Sequence, residues 1–244
     1  MSANTQKELT KRQHYHMRAI LKNFANGEML HISRKDGSTG ELSYEDKAFY
    51  GHVAWSDETE TKYGELIERR FLGQAGHVLN TYRVSAHHDI SEYHIFWRLR
   101  HMYAINREPV TKIYEGFDFG TLEELKDWCN RKGKIYVNGD GTIDGMFAAT
   151  LRIREGLDKY RAQYEGVYWS VGIAENGGLI SADNYKNSLI LPLSPHILLC
   201  GKRTKNKKPW IMTDDDIKQA NQMAIDQCHD FCFSKPYSGD ADAS

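Results

Sequence analysis

The spacing of apolar residues divides the chain into a series of short helices and strands. Tyr15, Ile20, Leu21 and Phe24 lie close to an i, i+4 stripe with Lys11, Arg18 and Lys22 outside it, which predicts an amphipathic helix over 10–25. Asn26-Gly27 ends that helix, because both residues tolerate a left-handed backbone. Met29-Leu30-His31-Ile32 reads as a short strand before an Asp36-Gly37 turn. Leu66, Ile67, Phe71, Val78 and Leu79 carry a helical pattern over 57–80. Asp89 is placed to cap a helix running to about Asn106, with Ile95, Phe96, Leu99 and Met102 inward and Pro109 barring its continuation.

In the second half, Thr121 and Glu124 form a capping box, with Leu122, Leu125 and Trp128 as the buried face and Gly133 as the terminating glycine. Residues 134–138 read as a strand, Asn138 to Gly141 as a turn and 144–165 as a helix. A strand over 167–174 is followed by Glu175-Asn176-Gly177-Gly178, a hairpin turn from which 179–181 returns. Two further strands, 189–193 and 197–200, are split by Ser194-Pro195, and Thr213 caps a last helix over 214–231. The expected architecture is therefore one α+β domain over 1–237: a helical N-terminal half, a small, mostly antiparallel sheet and a closing C-terminal helix. The small acidic tail, 238–244, is expected to fray.

Composition narrows the function classes. Lys+Arg 32 against Asp+Glu 33 excludes a strongly basic nucleic-acid coat but leaves room for a local basic patch. No apolar run approaches the ~20 residues that cross a bilayer, and the polar start MSANTQKELTKRQ lacks an export segment. The expected setting is the cytoplasm, with no membrane partner and with Cys129, Cys200, Cys228 and Cys232 reduced. Cys228 and Cys232, four apart on the expected last helix, read as core residues; with His14, His16 or His229 they lack the C-x-x-C knuckle of a zinc site. Asn138-Gly139-Asp140-Gly141-Thr142-Ile143-Asp144 resembles part of a calcium loop. The positions that need carboxylates hold Tyr136 and Phe147, so it reads as a turn.

Four segments resemble, in order, the bacterial family called domain of unknown function 4238. His14-Tyr15-His16-Met17-Arg18-Ala19-Ile20-Leu21-Lys22-Asn23-Phe24 is similar to its opening H-Y-V-P-x-x-Y-L-[KR]-N-F, with His16 and Met17 in place of valine and proline. Leu179-Ile180-Ser181-Ala182-Asp183-Asn184 is similar to F-I-T-S-D-N-P, with Tyr185 in place of the proline. Leu191-Pro192-Leu193-Ser194-Pro195 is similar to P-L-[ST]-P, and Ile217 to Asn221 resembles a final helix with an I-x-x-x-N step. The resemblance spans nearly the whole chain and supplies positions, not an activity.

Those positions yield the candidates for chemistry. His14 is a candidate general base or metal ligand, because an imidazole titrates near neutrality. Asp183 and Asn184, at a strand end, are candidates to hold a divalent metal, orient His14 and donate to a substrate oxygen. The same Asp-Asn pair is also an ordinary turn signal. Arg98 and Arg100 are candidate phosphate ligands, and Glu68 is a candidate partner for one of them. Lys202, Arg203 and Lys205, in the basic run 202–208 before Pro209-Trp210, form a candidate nucleic-acid contact or a solubilising loop.

Two functions follow as expectations. The first is a nucleic-acid-directed phosphodiester hydrolase, of the toxin or defence-effector kind, using His14, Asp183 and Asn184 in a cleft with magnesium or manganese. The alternative is a non-catalytic binding or regulatory module for nucleic acid or a protein partner.

Overall fold

A computed structural model describes residues 12–115, 120, 122–132, 134–186, 188–205 and 208–236. The chain begins with strands. β1 (Arg12–His14) pairs antiparallel with β4 (Tyr50–His52), and between them lie α1 (Arg18–Phe24), β2 (Met29–Arg34) and β3 (Thr39–Ser43). A π-helical turn, Thr59–Gly64, leads into α2 (Glu65–Thr81), which is followed by α3 (His87–Ile105). β5 (Thr111–Lys112), α4 (Glu123–Arg131) and β6 (Thr142–Ile143) form a small outlying unit. After α5 (Gly145–Tyr164) come β7 (Tyr168–Ile173), β8 (Ser181–Ala182), β9 (Ile190–Ser194), β10 (Ile197–Lys202), β11 (Trp210–Ile211), α6 (Asp214–Gln227) and β12 (Phe231–Ser234).

This arrangement corrects the expected fold class. The N-terminal half is mixed: among the described residues four strands, α1 and a 3-10 turn (Lys47–Phe49) precede residue 53, α2 and α3 follow, and the helix expected over 10–25 shrinks to 18–24. Gln13 and Tyr15 are both buried, a period of two that suits a strand, and β1 finds a partner in β4. Four small sheets among the described residues replace the single antiparallel one, and β11 joins β7 in parallel. The closing element is a strand. α6 stops at Gln227, and β12 lies between β2 and β8 in the order β3-β2-β12-β8. Phe231, Cys232 and Phe233 are all buried there, so the segment is an unbroken apolar run that helical periodicity mimics.

Three local expectations also fail. Gly177 and Gly178 both adopt positive φ, 73° and 94°, but the chain leaves the β7 sheet there instead of folding back on it. β8 pairs with β12, not β7. Leu122, Leu125 and Trp128 are exposed rather than buried on α4, whose residues instead flank a minor core of Cys129, Tyr136, Ile143, Phe147 and Ala148. Met102 is also exposed, although Ile95, Phe96 and Leu99 face inward. Thr121, Gly133 and the tail 238–244 lie outside the described residues. The Asn138–Thr142 segment is a turn: Asp140 accepts from the Thr142 N–H and hydroxyl at 3.0 and 2.7 Å, which occupies its carboxylate.

α3 is the axis of the molecule, packed between α2 and α5. It is buried on nearly every side, and ion pairs from its neighbours meet its buried Glu92 and Arg100. Glu92 receives Arg70 from α2 and Arg161 from α5. Arg100 is 1% exposed, bonds Glu68 on α2 and lies over the Phe96 ring at 4.3 Å. α5 runs antiparallel to α3: Arg152 meets Glu108, Gly156 abuts Leu99 and Arg161 meets Glu92.

Asparagine amides tie together the segments that carry the family resemblance. Asn23 of α1 donates to the Leu193 carbonyl at 2.8 Å, and Asn221 of α6 receives the Ile180 N–H at 3.0 Å and donates to Gly178 O at 2.8 Å. Asn221 thus holds the irregular chain that delivers β8. Asn221→Ala is expected to cost about 1–2 kcal/mol, read from the urea midpoint at unchanged m-value. An unchanged midpoint would show that the loop holds itself. Among the described residues no helix is long and apolar enough to cross a membrane.

Candidate metal centre

Antiparallel pairing of β12 with β8 sets Cys232 opposite Ala182 and Phe233 opposite Ser181. That register carries residues 229–231 back beside Asp183, the first residue after β8. The Asp183 N–H bonds Phe231 O at 3.0 Å, and its carboxylate turns into the loop. Oδ1 accepts from the His229 N–H at 2.7 Å; Oδ2 accepts from Asp230 N–H at 2.8 Å and Phe231 N–H at 3.3 Å. Asp183 is 1% exposed, and burial alone would raise its pKa. The adjacent His101 imidazole and the Asp230 and His229 N–H groups outweigh burial, so the carboxyl titrates below its ordinary range.

His101 reaches this carboxylate from α3. Its Nε2 lies 3.6 Å from Asp183 Oδ2, and its Nδ1 lies 2.9 Å from the Asn184 amide. The ring is 2% exposed, with Tyr15 edge-on at 4.7 Å on one side and His229 at 5.5 Å on another. Ligating atoms of His101, Asp183 and His229 all lie within 4.8 Å of one another. Two ligands held at ~2.1 Å by a tetrahedral ion stand about 3.4 Å apart, so the 3.6 Å gap fits a shared ion better than a direct hydrogen bond. Asn184 completes the pattern. The structure sets Asn184 Nδ2 against Nδ1; with the amide turned over, Oδ1 would accept from Nδ1–H and leave the Nε2 lone pair for an ion.

A hollow of about 220 Å³ opens beside the group. His101, His229 and Asn184 lie at one end, Arg98 and Lys186 bring positive charge, and Ile95, Leu99, Met102 and Ile105 form an apolar wall. Arg98 bonds the Lys186 carbonyl and lies 3.3 Å from the Tyr164 hydroxyl, which in turn meets His94 Nδ1 at 2.8 Å.

No family model, no curated protein and no solved structure matches this chain. Its chemistry therefore has to be read from the geometry.

The candidates from sequence separate accordingly. Asp183 and Asn184 stand at the centre, and Arg98 lines the hollow. His14 is not among the groups that converge on Asp183: it ends β1, lies 3.9 Å from Glu45 and packs on Tyr50 at 5.5 Å. Arg100 points away from the hollow into its pair with Glu68, with Glu60 at 3.8 Å. Lys202, Arg203 and Lys205 do not line it either. Lys202 ends β10, Arg203 caps α5 through the Gln163 carbonyl at 3.0 Å, and Lys205 lies over the Tyr168 ring at 5.6 Å. Residues 206–207 of that run lie outside the described residues. Cys228 caps α6 and Cys232 belongs to β12, so the two share no helix face.

His101 and His229 stand beside Asp183, where His14 was expected. His101 stood in the sequence beside two arginines, and His229 among cysteines that make no metal knuckle. No spacing rule links 101, 183 and 229; only the β8–β12 register and the course of α3 bring them together.

Proposed function

We propose that the protein is a divalent-metal-dependent phosphodiesterase whose centre is His101, Asp183 and His229. The observation that carries this reading is the convergence of those three groups, two of which, His101 and His229, line a hollow together with Arg98 and Lys186. Two imidazoles with one carboxylate favour manganese or zinc over magnesium. His101, Asp183 and His229 would hold the ion, which would supply an activated water and polarise a phosphoryl oxygen. Arg98 and Lys186 neutralise the phosphate, Asn184 orients His101, and Asp183 stays ionised because the His101 ring and the backbone N–H groups favour its charged form.

The test is manganese or zinc titration of chelator-treated protein, with hydrolysis of bis(p-nitrophenyl) phosphate as the activity. Wild type is expected to bind one ion and to hydrolyse the ester. His229→Ala, at an exposed position, is expected to melt normally while losing ion binding and at least ~100-fold in rate. Absence of ion binding by wild type, or full activity in the variant, would defeat the reading.

One observation favours the alternative, a non-catalytic binding module: three backbone N–H groups already occupy Asp183. On that reading Asp183 is a clasp for the loop before β12, and wild type shows no metal-dependent hydrolysis.

A further inference from the structure

Resting on the metal-centre reading, we propose that a single strand of nucleic acid lies in a trough along α3, leading from the basic loop to the metal centre. The hollow at the centre is not isolated. It shares Ile95 and Tyr164 with a second hollow of about 510 Å³, and that one shares His87 with a third of about 450 Å³. The three follow one side of α3 from its C-terminal end to its start, against the end of α5 and the first half of β7. Nineteen helical residues set the length at about 28 Å, room for a handful of nucleotides.

The lining has the two chemistries such a strand needs. Positive charge occurs at both ends and in the middle: Arg98 and Lys186, then Arg161, then Arg83 and Lys208. The acids along the trough are Glu92 and Glu165. Glu92 is 4% exposed and paired with Arg70 and Arg161, and Arg161 also meets Asp158, so the positive balance lies at the two ends. Tyrosines recur beside the cations: Tyr160 and Tyr164 at the metal end, Tyr168 in the middle and Tyr82 at the far end. Tyr82 is 43% exposed on a left-handed residue that ends α2. Alternating cations and aromatic faces suit a backbone that can splay its bases, as a single strand does and a duplex does not. Lys205 over the Tyr168 ring adds one more cation beside an aromatic face of this surface.

The experiment is fluorescence anisotropy with labelled single-stranded DNA and RNA of about a dozen nucleotides, and with the matching duplex, in EDTA. Wild type is expected to bind at least one of the single strands at least ten-fold more tightly than the duplex, with affinity falling as salt rises. The double variant Arg83→Ala, Lys208→Ala is expected to bind that strand at least ten-fold more weakly, with the log–log salt slope reduced by about 1.4. No single-strand binding, equal affinity for the duplex, or an unchanged slope in the double variant would overturn the trough. None of these outcomes depends on the small phosphodiester assay, so trough and metal centre can fail separately.

Discussion

Lowering the pH from 7 to 5 is expected to remove about 4 kcal/mol of folding stability, a large share of the ~5–15 kcal/mol typical of a domain. The cause is two buried imidazoles. His16 lies between the Trp97 and Phe233 rings at 4.7 and 5.3 Å, and His94 lies among Trp97, Trp169 and Tyr164; both are 0% exposed. Burial holds each neutral down to about pH 3, helped at His16 by Arg100 and His101 and at His94 by Arg98. The unfolded chain protonates these rings near pH 6.5, so it binds the extra protons. Stability is therefore full above about pH 6.5 and falls as pH drops toward 3, by about 2 kcal/mol per imidazole at pH 5. Urea unfolding at pH 7, 6 and 5 reads this directly, with a limiting slope of about two protons. His16→Leu should reduce that slope to about one. Equal stability at pH 7 and 5 would show that the rings are charged in the fold.

Replacing Asp183 by alanine is expected to cost about 3–5 kcal/mol, seen as a melting temperature lower by about 10 °C. The substitution leaves the His229, Asp230 and Phe231 N–H groups without their acceptor, and the entry to β12 loses its anchor. β12 is a central strand, so the loss spreads to both neighbours, β2 and β8. Asp183→Asn keeps the shape but turns an NH2 group toward N–H donors, and should recover only part of the loss. A melting temperature within a degree of wild type in Asp183→Ala would remove the clasp role. Metal binding lost in both variants, beside intact binding of the labelled strand, would tie the ion to this carboxylate.

Local pattern suffices where length or a turn signal bounds the element. The helices expected over 57–80, 89–106 and 144–165 are present as α2 with its preceding π-helical turn, α3 and α5, and the strands around Ser194-Pro195 are β9 and β10. It fails where no such boundary marks the change from one element to the next. β12 has Phe231, Cys232 and Phe233 all inside, so nothing distinguishes its apolar run from the end of a helix. β1 fails for a related reason: Gln13 is buried because its amide donates to Trp55 O at 2.7 Å and accepts from Ala54 N at 2.7 Å, and a polar residue leaves no hydrophobic mark.

From residues alone came a chain without a membrane-crossing helix, a set of amphipathic elements, and the Asp183-Asn184 corner as a place where chemistry could occur. Which histidine meets that corner was decided by tertiary structure. His14 and His101 are both plausible imidazoles in one dimension, but β1 turns the first toward Glu45 while α3 carries the second to the carboxylate. Register between strands far apart in the chain then adds His229. The physical reason is that periodicity records which side of an element is buried, whereas convergence of side chains depends on how elements cross, and crossing is set by the whole core.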